Sequence, residues 1–169
     1  MMQGVMSAAS RDVRSVRQLE YVLGSPRASL GTHIQRWSLS QPGERDSFNA
    51  RINSTIVDGF LLAEAFCDPV AGVRDQCTTG DARSVWVGVT ESGTSWFSQG
   101  VNAGYTPPGG VMLWDSGRPA SFQVCSELHQ KYLGIPYEIA ESIIPDLGTL
   151  CGTSVSPANS CSALLATHM

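Results

Sequence analysis

The chain has 169 residues, 42% of them hydrophobic and 15% charged, with 17 glycines. That is the make-up of one turn-rich globular domain with a core of its own rather than of a disordered chain. A formal net charge of −4 and a pI near 5.2 argue against a nucleic-acid surface, because phosphate neutralisation needs clustered Lys and Arg. Lys131 is the single lysine, and Arg11, Arg14, Arg17, Arg27, Arg36 and Arg45 form only a sparse basic arm before residue 50. No run approaches the roughly 20 apolar residues that span a bilayer. The opening MMQGVMSAASRDVR lacks the apolar centre of a secretory signal, so a cytoplasmic protein is expected.

Along the chain, residues 1–50 read as a polar, partly helical or disordered arm. Val13, Val16, Leu19, Val22 and Leu23 recur at near-helical spacing and Gly24-Ser25-Pro26 would end that helix. Residues 51–136 read as short strands separated by Gly, Pro, Asp and Ser: 54–66, 73–78, 84–91, 94–100, 101–106, 110–116, 120–127 and 128–135. Glu91–Thr94 reads as a tight hairpin turn between two aromatic strands. About seven or eight such strands predict a cupin-like β-roll or barrel. Past Pro136 the apolar period changes to that of a helix, with Ile139, Ile143 and Ile144 on one face, and a last apolar helix is expected over 156–169. The fold class is therefore α+β, with residues 137–169 as a C-terminal helical segment.

The stretch GGVMLWDSGRP, residues 109–119, is the most telling string. Gly109 and Gly110 permit the turn, Met112 and Trp114 point to one face, Val111, Leu113 and Asp115 to the other, and Pro119 stops the ladder. Asp115 and Arg118 are best explained as hydrogen-bonding groups of that corner. The string resembles the "PGD-x-x-L-x-D-x-x-R-P" hairpin of the N-terminal ligand-sensing domains of AraC/XylS-type transcriptional regulators. SVWVGVTESGTSWFSQG is similar to that family's central hairpin, with Gly93, Gln99 and Gly100 in place. Ile135-Pro136, Pro145-Asp146-Leu147, the linker 152–156 and Leu164-Leu165 follow in the family's order.

The resemblance implies an effector-sensing, cupin-like domain that is not an enzyme and forms a homodimer through roughly residues 137–169, with Ile139, Ile143, Leu164 and Leu165 at the contact. DNA binding would come from a helix-turn-helix part that this chain lacks.

The search for chemistry supports no catalytic motif. His33, His129 and His168 are scattered, without the paired spacing of a metallo-cupin, so no metal or other cofactor is expected. Glu127 and His129 could form an acid-base pair, more simply a surface pair. The five cysteines, Cys67, Cys77, Cys125, Cys151 and Cys161, match no zinc spacing and read as reduced thiols. Trp86, Trp96 and Trp114, with Phe122 and Tyr132, could line a pocket for a small apolar or aromatic effector, though the same rings could simply fill a core. Arg118 and His129, with Arg83 and Gln99, are the candidate partners for a ligand carboxylate. A stand-alone cupin-like enzyme and a ligand-free dimerisation module remain the alternatives.

Overall fold

The computed structural model of the chain describes residues 7–24, 37–42, 47–74 and 83–158. Within them the order is β1 (Ser7–Val13), α1 (Val16–Gly24), β2 (Ser38–Ser40), β3 (Ala50–Val57), β4 (Phe60–Cys67), β5 (Ala71–Arg74), β6 (Ser84–Ser92) and β7 (Ser95–Gln99). Then come β8 (Asn102–Thr106), β9 (Val111–Asp115), β10 (Ala120–Val124), β11 (Leu128–Pro136), α2 (Tyr137–Ile143), α3 (Leu147–Leu150) and β12 (Ser154–Val155). The strands form a seven-stranded sheet, β1-β3-β4-β11-β6-β9-β12, and a five-stranded sheet, β2-β5-β10-β7-β8.

The α+β class holds, but the roll or barrel of about seven or eight strands does not: neither sheet closes on itself. Alternation of apolar residues dictates which side chains face inward, and it is silent on which sheet edges meet. At one edge the two-residue β12 pairs only with β9. It reaches β8 of the other sheet by a side chain, Ser154 Oγ donating to the Tyr105 carbonyl at 2.9 Å.

Two local expectations change for the same kind of reason. Residues 54–66 are not one strand but parts of the β3–β4 hairpin, turned at Asp58-Gly59 with φ of +49° and +84°. Asp-Gly is a favoured pair for such a two-residue turn. The Glu91–Thr94 link is not a hairpin either, because β6 lies in the seven-stranded sheet and β7 in the five-stranded one. It is the corner that carries the chain between sheets, and Gly93 makes it with φ +79°.

Part of the expected arm folds against the sheets. β1 pairs antiparallel along β3 from Ser7↔Ile56 to Val13↔Ala50. Helix α1 begins at a Ser15 cap: the Gln18 N–H donates to Ser15 Oγ at 3.2 Å, while Gln18 Oε1 accepts from the Arg14 N–H at 2.7 Å. The apolar face of α1 buries Leu19 with Val13, Phe48, Val70, Val124 and Leu128. The Leu39 N–H donates to Glu20 Oε1 at 2.6 Å, which fastens β2 to this helix.

The main core lies between the sheets, where Leu61, Trp86, Met112 and Trp114 of one meet Phe97 and Ala120 of the other. A smaller core forms on the outer face of the seven-stranded sheet, where Val85 meets Ala140 of α2, Leu147 of α3 and Cys151. Most of the last helix expected over 156–169 lies outside the described residues; its first positions, 156–158, are not helical, and Ser154–Val155 just before it is strand.

A Cβ added at Gly93 would collide with the Glu127 carbonyl oxygen, and the backbone there already has positive φ. We expect Gly93→Ala to destabilise the fold by about 2 kcal/mol or more. The melting temperature should fall by roughly 4–8 °C. An unchanged melting curve would show that the corner tolerates a side chain.

Candidate functional site

A cavity of about 200 Å³ lies between the sheets and beneath α1. Its existence follows from an asymmetry of side-chain volume. On β1, β3 and β4 the inward positions carry Ala9, Ala50, Ser54, Ala63 and Ala65, all of which line the cavity. Ser54 sits opposite both Ala9 and Ala63, and Ala65 opposite Ile52, so small residues adjoin across three strands. Large rings supply much of the remaining lining: Trp86, Trp114 and Tyr132 from neighbouring strands of the same sheet, Phe97 and Phe122 from the five-stranded sheet, and Trp37. Leu19, Val22 and Leu23 of α1 close it. A pocket walled by apolar side chains with few polar groups suits a small molecule.

The rings hold one another. Trp86 and Trp114 stack at 5.5 Å with 14° between planes. Trp37 meets Trp114 edge-on at 6.0 Å and Phe122 at 4.9 Å. The Arg74 guanidinium lies 4.9 Å from the Trp37 ring and 5.3 Å from Trp114, a cation at the back of the aromatic wall.

Tyr132 donates to Gln130 Oε1 at 2.5 Å, and Gln130 Nε2 donates to Thr90 Oγ1 at 2.9 Å. Burial pushes the Tyr132 phenol well above its usual range. It stays a neutral donor.

Of the residues expected at a ligand site, Trp86, Trp96, Trp114, Phe122 and Tyr132 border this one cavity. Arg118 and His129 do not. Arg118 Nη1 donates to the Gly148 carbonyl at 2.7 Å. His129 stacks on Phe66 at 4.1 Å and pairs with Glu64 rather than Glu127, Nε2 to Oε1 at 2.9 Å. The His129 imidazole and the Asn53 amide hold the Glu64 carboxyl below its usual range.

Arg83 and Gln99 are occupied at Asp115. Arg83 Nε donates to Asp115 Oδ1 at 3.0 Å, and the Gln99 amide brackets the Asp115 backbone at 2.8 and 2.9 Å. The structure adds Trp37 and the small residues of β1, β3 and β4, which sequence reading missed. The alternating Ala63-Glu64-Ala65 was their one visible signal.

Ile139 and Ile143 are 38% and 71% exposed on α2, while Leu164 and Leu165 lie outside the described residues. Among the described residues no group of three or more His, Cys, Asp or Glu side chains is placed to hold a metal ion. No helix among them is long and apolar enough to cross a membrane.

No protein-family model and no curated protein sequence matches the chain. Solved structures do. The chain has the fold of the AraC-like transcriptional activator CuxR, matched over 95% of this chain and 58% of that one, with a TM-score of 0.75 and 18% identity. It thus spans 58% of the length of that activator. This likeness agrees with the AraC-type resemblance carried by residues 109–119. Two further similarities are too partial to bear on function. One is the Cnp3 cupin domain of Schizosaccharomyces pombe, at 12% identity over 64% of this chain and 77% of that one, TM-score 0.42. The other is a variant of the oxalate decarboxylase OxdC of Bacillus subtilis, at 13% over 52% and 25%, TM-score 0.39.

Cys67 borders the cavity, and burial, reinforced by Asp68, pushes its thiol up to about 12; burial likewise takes Cys151 to about 11. Both stay protonated near neutrality, and the thiolate is the nucleophile. We expect iodoacetamide at pH 8 to alkylate exposed Cys125 at least ~100-fold faster than Cys67 or Cys151 in the folded chain, with the rates converging in denaturant. Peptide mass spectrometry reads each site separately, and equal native rates would contradict this placement.

Proposed function

We propose that the chain is the effector-sensing and dimerisation part of an AraC-type transcriptional regulator rather than an enzyme. The observation that carries the reading is the apolar cavity of about 200 Å³, walled by rings and small side chains, in a chain with the fold of an AraC-like activator. A small apolar or aromatic effector would enter it. DNA would be contacted by a helix-turn-helix part outside this chain, in the cytoplasm.

A route from the cavity to the helical end supports the regulatory half of the reading. Trp114 is on the wall, and Asp115, next along β9, is paired with Arg83. The Arg83 guanidinium lies 3.4 Å from the ring centre of Tyr137, the first residue of α2. Arg118, three residues past Asp115, holds the Gly148 carbonyl in α3. An effector that favours one arrangement of this chain of contacts would shift the helices.

The test is thermal. A panel of single-ring aromatic compounds should contain members that stabilise the chain by about 2.7 kcal/mol at a hundred times their Kd. The melting temperature would rise by roughly 5–11 °C. Ala63→Phe, which fills the void from β4, should abolish the shift. Stabilisation that survives the filled cavity would place the ligand elsewhere.

The exposed apolar face of α2 supports a two-fold contact between copies of the chain. We expect Ile139→Asp combined with Ile143→Asp to turn a dimer into a folded monomer in sedimentation equilibrium. A monomeric parent chain would refute the dimer.

A further inference from the structure

We propose that the cavity takes a small apolar or aromatic monocarboxylate, its body against Ala63 and Ala65 and its carboxylate on the Arg11 guanidinium. The inference rests on the reading of the interior as an effector pocket and adds the charge of the effector and the residue that reads it.

Alternation along β1 turns Arg11 toward the interior. Its neighbours lie on the other face of the sheet, where Ser10 Oγ donates to Asn53 Oδ1 at 2.6 Å and Asp12 Oδ1 accepts from Arg51 Nε at 2.8 Å. Ala9 and Arg11 line the cavity, and Val13 is buried in the core under α1. Across the strands Arg11 stands opposite Ile52, Ile52 opposite Ala65 and Ala65 opposite Gln130, and all four line the cavity. The Gln130 amide at the far end is engaged by Tyr132 and Thr90. A cation therefore ends an otherwise uncharged row.

Of the described residues that line the cavity, Arg11 is the one with a charge, and none is Asp or Glu. A cation beside apolar walls favours an anion placed against it. A guanidinium has five N–H donors in a planar fork that fits a carboxylate, so it can receive one and keep a bond it already makes. The other side chains suited to a carboxylate, Arg83, Arg118 and His129, are engaged away from the cavity with Asp115, Gly148 and Glu64.

Size and position narrow the class. A cavity of about 150 Å³ with aliphatic and aromatic walls admits benzene; this one, at about 200 Å³, has room for a ring and a short substituent. Ala63 and Ala65 leave that room on β4, two strand spacings or roughly 10 Å from β1. A ring over them needs only a short arm to bring a carboxylate to Arg11. The chain's net charge of −4 repels anions at long range, so a preference for the anion has to come from a local contact. The rival explanation is that Arg11, an inward-pointing charge on the edge strand β1, only guards that edge against pairing with other chains.

Calorimetric titration of the full chain at pH 7 with phenylacetate and phenylacetamide, nearly equal in shape and different in charge, decides between them. Phenylacetate should bind at least ~10-fold more tightly, because hydrogen bonds between ions are the strong ones. Arg11→Gln should bring the two to within about twofold and leave phenylacetamide binding as it was, while Arg11→Lys, which keeps the charge without the fork, should retain a reduced preference. Ala63→Phe should abolish binding of both. Should Arg11→Gln not fold, the ratio in the parent chain and its loss in Ala63→Phe still decide.

Equal or tighter binding of phenylacetamide, or binding of neutral members of the aromatic panel with phenylacetate excluded, overturns this selectivity and leaves the effector pocket standing. A preference for phenylacetate that survives in Arg11→Gln overturns the assignment to Arg11. Binding of neither probe, with Ala63→Phe no different from the parent chain across the wider aromatic panel, overturns both readings.

Discussion

The structure turns on one buried carboxylate. Asp115 is fully buried, and its charge is met by Arg83 Nε at 3.0 Å, Arg83 Nη2 at 2.5 Å and the Gly117 N–H at 2.7 Å. Its backbone is equally occupied: its N–H donates to Gln99 Oε1, and its carbonyl accepts from Gln99 Nε2 and Arg74 Nη2. Gln99 and Arg74 belong to the five-stranded sheet and Asp115 to the seven-stranded one. One residue therefore joins the layers with polar bonds deep in the protein. Water cannot substitute for such bonds there, and losing either partner would strand the other.

With the layers tied at that point, side-chain volume shapes the rest of the interior. Near the clamp the large rings of Trp37, Trp86, Phe97 and Trp114 fill the gap between the sheets. Across β1, β3 and β4 the alanines Ala9, Ala50, Ala63 and Ala65 and Ser54 stand among larger residues such as Ile52 and Leu61, and a void remains beside them. Interiors are otherwise close-packed, and an unfilled volume forfeits dispersion and cavity energy. Keeping one is a cost to the empty chain that a bound ligand would offset.

Much of this was legible in the sequence, unevenly. The strands between Ser84 and Pro136 follow the two-residue period and its Gly, Pro and Asp punctuation, and most lie within a residue or two of where that period puts them. Sheet membership did not follow, because the Gly93 turn looks the same whether it closes a hairpin or crosses between layers. The aromatic wall was visible as tryptophans on separate strands. The small residues beside it were not, since Ala63 and Ala65 carry meaning only once they are known to line the same cavity as the rings. The outward direction of His129 could have been read. It lies three residues from Tyr132 on one strand, and an odd separation puts two side chains on opposite faces.

That same alternation gives β9 its place in the argument. Met112 and Trp114 face the cavity, while Leu113 packs on the other face with the small core of α2 and α3, and Asp115 sits in the clamp. A displacement of the β9 backbone at Trp114 would be passed on to Asp115, since the two residues share one planar peptide unit. Any shift there reaches Arg83, which is stacked on Tyr137, and Arg118, which holds Gly148. These are discrete contacts, made or broken, rather than a continuously yielding medium. A strand that lines the cavity on one side and packs on the α2–α3 core on the other would let a molecule in the cavity bias the helices, provided it bound two arrangements of them unequally.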